Sequence, residues 1–77
     1  MDFDLKVFAE RLNEGIRGSG LTFAAVAREL GVSRSAVTQL RNGEIYPSVQ
    51  TLCKLCRLLD VSSDWLAGLS DTRGRQP

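Results

Sequence analysis

The sequence predicts an all-α fold, a compact bundle of five short helices, and three observations carry that prediction. Apolar residues return every three or four positions along nearly the whole chain, and no other period is present. Each apolar run follows a residue suited to capping a helix: Asp2 or Asp4, Thr22, Ser33, Ser48, and Ser62 or Ser63. Between the runs stand residues that stop helices, namely Gly15, Gly18 and Gly20, then Gly31, then Asn42-Gly43 and Pro47. Seventy-seven residues suffice for one domain with a small core. That domain is expected over residues 1–69, with a loose tail over 70–77.

In chain order, the first helix presents Leu5, Phe8, Leu12 and Ile16 as an apolar stripe and is expected to end among the three glycines. Thr22 opens a second helix in which Phe23, Val26, Ala27 and Leu30 share one face, and Gly31 supplies the left-handed residue that ends it. Ser33 opens a third, where Ala36, Val37 and Leu40 point inward and Arg34, Ser35, Thr38, Gln39 and Asn42 share the outward face. Pro47 keeps Tyr46 out of the helical region, so residues 43–47 form an extended loop. Ser48 caps a fourth helix, mostly buried through Val49, Leu52, Leu55, Cys56 and Leu59. A short last helix, with Asp64 in its electropositive first turn, carries Trp65, Leu66 and Leu69.

Two short helices joined tightly at a glycine form a helix-turn-helix, here over about residues 22–42, and the second helix of that unit enters the DNA major groove. Ala27 is small where the third helix crosses closest. The outward face of the third helix offers one long cation, one amide and short hydroxyls, a set suited to reading base edges.

At this point the chain resembles the Cro/C1-type (phage-repressor-like, XRE) helix-turn-helix domains. The resemblance rests on LT at 21–22, VA at 26–27, LGVSRSAV at 30–37, Asn42-Gly43, Pro47-Ser48 and VSSDWLAG at 61–68, and it covers roughly residues 5–69. It implies a lambda-repressor-like DNA-binding fold in which Arg34, Ser35 and Gln39 touch bases and Ser33 touches base or backbone. Three positions depart from the pattern. Phe23 replaces a phosphate-clamping glutamine, and its ring is expected to pack at the rim of the core. Ile16 and Arg41 stand where the resembling family carries an arginine and its glutamate partner, so an ion pair is exchanged for an apolar contact and an arginine freed for phosphate.

Arg34, near the start of the third helix, is placed for two parallel bonds to guanine O6 and N7; its bland alternative is a solvated or phosphate-bound side chain. Thr38 either meets a thymine methyl or faces solvent. Thr22, Ser33, Arg41, Asn42 and Ser48 are the expected backbone anchors, with Thr22 and Ser48 also capping their helices. Trp65 completes the core, whereas Leu66 and Leu69 are expected at a two-fold interface.

The net charge of +1 is weak for a nucleic-acid binder, but its distribution is uneven. Residues 1–15 sum to −2 and residues 16–43 to +3, so positive charge gathers on the helix-turn-helix and tight binding calls for a dimer. The acidic start MDFDLK lacks a signal-peptide pattern and no apolar run approaches a membrane span, so a cytoplasmic location is expected. Cys53 and Cys56 are two thiols on one helix with no histidine in the chain, too few ligands for tetrahedral zinc, and read as small hydrophobes. No cofactor is expected, and no constellation of base, nucleophile or metal supports an enzyme. The expected function is a transcriptional regulator, a repressor above all, bound as a homodimer to a palindromic double-stranded DNA operator and able to touch RNA polymerase. The alternatives are an antitoxin that binds a toxin partner and a restriction-modification controller.

Overall fold

Five helices follow one another with no strand among residues 2–73, the part of the chain described by the computed structural model. They are α1 (Leu5–Ser19), α2 (Phe23–Leu30), α3 (Arg34–Arg41), α4 (Val49–Leu59) and α5 (Ser63–Leu66). Every one opens on a side-chain cap. Asp4 accepts from the Val7 amide at 3.1 Å, Thr22 from Ala25 at 3.0 Å, Ser33 from Ala36 at 3.0 Å, Ser48 from Thr51 at 3.1 Å and Ser62 from Trp65 at 3.0 Å. Each satisfies an amide that helix geometry leaves without a partner, which is worth about 1 kcal/mol.

The end of α1 falls at the last of the three glycines expected to stop it. The helix runs through Gly15 and Gly18 and stops only at Gly20, whose φ is 77°. A glycine inside a helix costs only about 1 kcal/mol, which packing overrides. At Gly15 α4 comes close: a Cβ placed there would lie 2.9 Å from Leu59 Cδ1.

The core joins one face from each helix. Phe8, Leu12 and Ile16 of α1 meet Val26, Ala27 and Leu30 of α2, Val37 and Leu40 of α3, Leu55, Cys56 and Leu59 of α4, and Val61, Trp65 and Leu66 beyond. Val49 is a correction, being 79% exposed rather than buried. It opens α4 beside exposed Tyr46, Ser48 and Gln50, at an exposed end of the helix where periodicity no longer reports burial. Leu66 is a second correction. Its side chain is 0% exposed and presents no surface to a partner chain, while Leu69 remains half-buried.

The expected loose tail is also corrected over residues 70–73. Arg11 donates to the carbonyls of Trp65 and Ser70, the Ser62 amide donates to Arg73 O at 3.0 Å, and the Ser62 hydroxyl donates to Thr72 O at 3.2 Å. Arg11 and Arg73 lie 5.0 and 5.2 Å from the Trp65 ring centroid, and Arg73 pairs with Glu14 at 3.9 Å. Arg73 is thus engaged with the domain itself, and Arg75 lies outside the described residues. A segment without apolar side chains is held here by arginine on an aromatic ring and by backbone bonds.

Gly68 closes the bundle. Its φ is 86°, and a Cβ there would come within 3.0 Å of Asp4 Cβ and 3.4 Å of Val7, beside the bond from the Asp4 amide to Ala67 O at 3.0 Å. Gly68→Ala is therefore expected to destabilise the domain by at least about 1–2 kcal/mol, the cost of a left-handed backbone at an L-residue. Urea denaturation measures it, and an unchanged midpoint would contradict the close contact.

Candidate nucleic-acid interface

The turn between α2 and α3 is set by local chemistry. Gly31 adopts φ 71° and ψ 31°, its amide donates to Arg28 O at 3.2 Å, and the Val32 amide donates to Ala27 O at 3.0 Å. These bonds satisfy the last carbonyls of α2 and turn the chain so that Ser33 can cap α3 at once. Val37 and Leu40, 1% and 3% exposed, seat α3 against α2 and α1. The opposite face, with Arg34, Ser35, Thr38 and Gln39, is exposed along its length. Thr38 Oγ1 donates back to Arg34 O at 3.1 Å, so its hydroxyl hydrogen is already engaged with the helix.

The residues expected at the phosphate backbone stand at the ends of these helices and at the start of α4. Thr22 and Ser33 sit exposed at the starts of α2 and α3. Asn42 is exposed at the end of α3, its amide donating to Glu44 Oε2 at 3.1 Å. Ser48 caps α4 and donates its own hydroxyl hydrogen to Thr51 Oγ1 at 3.0 Å.

Arg41 departs from the expectation of a freed arginine. Its Nε donates to Asn13 Oδ1 at 2.8 Å, and its guanidinium carbon stands 3.6 Å from the centroid of the Phe23 ring. Phe23 in turn is 41% exposed, so it serves as a surface platform rather than rim packing. It shares a helical face with Val26 and Leu30 but stands at the first position of α2, where its ring takes the Arg41 guanidinium instead of joining their core. Asn13 had no sequence signal: its Nδ2 donates to Ala9 O at 2.9 Å and to Arg41 O at 3.0 Å, tying α1 to the end of α3 across 28 positions.

Shallow depressions mark the surface of the described residues, two of them beside residues named above. One, about 520 Å³, lies between α1 and the end of α3 and includes Lys6, Asn13, Arg41 and Asn42; the other, about 450 Å³, lies between α4 and α5 beside Cys53 and Cys56. Cys53 is exposed and Cys56 is buried.

The sequence profile of the helix-turn-helix family matches residues 16–66, from the last buried position of α1 to the end of α5. Among curated proteins, the chain is similar to the HTH-type transcriptional regulator for conjugative element R391 of Providencia rettgeri and to that for element SXT of Vibrio cholerae. With each it is 30% identical over 63 residues, which is 82% of this chain and 29% of the relative. The chain thus spans less than a third of the length of these relatives. With the glycine turn, the outward polar face of α3 and the profile match in agreement, the chain belongs to the Cro/C1-type helix-turn-helix family of DNA-binding transcriptional regulators.

Proposed function

We propose that this chain binds double-stranded DNA by sequence, placing α3 in the major groove as one half of a homodimer on a nearly palindromic operator, and that it represses transcription from the cytoplasm. The observation that supports this most is the division of α3, with Val37 and Leu40 buried while Arg34, Ser35, Thr38 and Gln39 are all exposed on the other side. Arg34, Ser35 and Gln39 read base edges, and Thr38, its hydroxyl turned inward, offers its methyl to a thymine. Thr22, Ser33, Arg41, Asn42 and Ser48 hold the phosphate backbone. Leu69, half-buried beyond α5, is the remaining candidate for the two-fold contact. Among the described residues no helix is long and apolar enough to cross a membrane.

Selection of bound sequences from random duplex DNA tests the reading. The expected outcome is a two-fold symmetric consensus with half-sites about 10–10.5 base pairs apart, or a multiple of that spacing. Failure to enrich any duplex overturns it. Arg41→Ala is expected to weaken every sequence alike and to reduce the slope of log affinity against log salt by about one per monomer; titrations across a KCl series check this.

A second reading, a protein-binding module of antitoxin type, draws on exposed Ile45, Tyr46 and Val49, which are 37%, 64% and 79% exposed at the start of α4. It predicts that the isolated chain fails to retain duplexes from its own upstream region in a mobility-shift assay.

A further inference from the structure

Arginine donates through five N–H groups, and at Arg41 only the Nε hydrogen is committed, to Asn13 Oδ1 at 2.8 Å. Among the described residues neither Nη has a hydrogen bond or an ion pair. Yet the group is not loose. The Phe23 ring lies against the guanidinium at 3.6 Å, and Asn13 is held in orientation by its own bonds to Ala9 O and Arg41 O. A cation fixed at one edge and stacked on one face, with its other edge unpaired, is a prepared receptor for an oxyanion.

The surroundings say which oxyanion. Phe23 is the first residue of α2, so the guanidinium lies beside the opening turn of that helix. Thr22 takes up the Ala25 and Val26 amides through its hydroxyl and its carbonyl, and the amides of the two residues before them have no partner inside a helix. The same helix-turn-helix places this turn at the DNA backbone. We infer that Phe23 and Asn13 are positioning residues that hold the Arg41 guanidinium ready for a DNA phosphate, an inference that rests on the DNA-binding reading above. Arg41 then gives up its rotamer freedom on folding rather than on binding, so less of the phosphate contact is spent on ordering a long side chain. A merely structural role for the stack, cementing α1, α2 and α3, would lower stability and leave the ionic character of DNA binding untouched.

The test is a double-mutant cycle read by fluorescence anisotropy across a KCl series. It uses a duplex recovered from random-sequence selection and an unrelated mixed-sequence duplex of the same length, with wild type, Phe23→Ala, Phe23→Tyr, Asn13→Ala, Arg41→Ala and the Phe23→Ala/Arg41→Ala pair. Phe23→Ala is expected to weaken both duplexes by about two- to fivefold, the scale of an exposed cation–π contact, and to lower the salt slope toward that of Arg41→Ala. Asn13→Ala is expected to act in the same direction. Phe23→Tyr keeps the ring face and is expected to keep the wild-type slope, and Phe23→Ala adds nothing once Arg41 is alanine. An equal penalty for Phe23→Ala with and without Arg41, or an unchanged slope, overturns the inference while leaving the DNA-binding reading in place. A wild-type chain that retains neither duplex overturns both. Thermal unfolding without DNA shows which variants are folded at the assay temperature. If Phe23→Ala is not, Phe23→Leu, which keeps bulk and loses the π face, takes its place in the same cycle.

Discussion

Leu66→Ala is expected to lower the free energy of unfolding by about 2–5 kcal/mol, the cost of deleting a buried leucine side chain and leaving a cavity. Its side chain is 0% exposed and belongs to the main core cluster with Phe8, Leu12 and Trp65, where little space exists for neighbours to collapse into the gap. Domains of this kind have about 5–15 kcal/mol in total, so the loss is a large fraction of what holds the chain folded. In a thermal melt it corresponds to a midpoint lower by at least about 8 °C. The shift is expected to be the same at low and high protein concentration, because the residue offers no area to a second copy. A melting temperature that stays put while self-association weakens would return Leu66 to the two-fold interface.

Arg34→Ala is expected to cost about 1–3 kcal/mol of specific affinity, roughly 5- to 150-fold, and to relax the base preference at one position in each half-site. Arg34 is the first residue of α3, directly after the Ser33 cap, and its side chain is exposed at the end of the helix that, on the proposed reading, reaches deepest into a groove. Within the described residues its guanidinium makes no bond that would have to be broken first. Competition titrations against duplexes altered one position at a time measure the effect. A loss of equal size for all of them would make Arg34 a phosphate contact and remove it from base readout.

How much of this was legible in the sequence depends on how local the determining contacts are. Thr22, Gly31, Ser33 and Ser48 act within a few residues of themselves, through bonds to amides or carbonyls of their own or the adjacent turn, so residue type and spacing suffice to place them. The outward face of α3 follows in the same way from where Val37 and Leu40 must point. The misreadings share the opposite property. Gly15 resembles a helix stop until Leu59 is seen against it, Val49 resembles a core residue until nothing is seen to cover it, and Leu66 resembles a shared surface until the bundle closes over it.

Arg41 shows the contrast most sharply. The family resemblance implies a cation released from an ion pair, but Asn13 of α1 and Phe23 of α2 reach it from far along the chain and settle its orientation. The order and caps of the helices, the glycine turn and the polar side of α3 were thus determined by the sequence alone, because caps, periodicity and left-handed glycines act over one or two turns. Which apolar residues are sealed in, how residues 70–73 lie on Trp65, and how the Arg41 guanidinium is held were decided only when distant segments met. Burial and stacking are properties of pairs of surfaces, and one-dimensional spacing carries no record of the second surface.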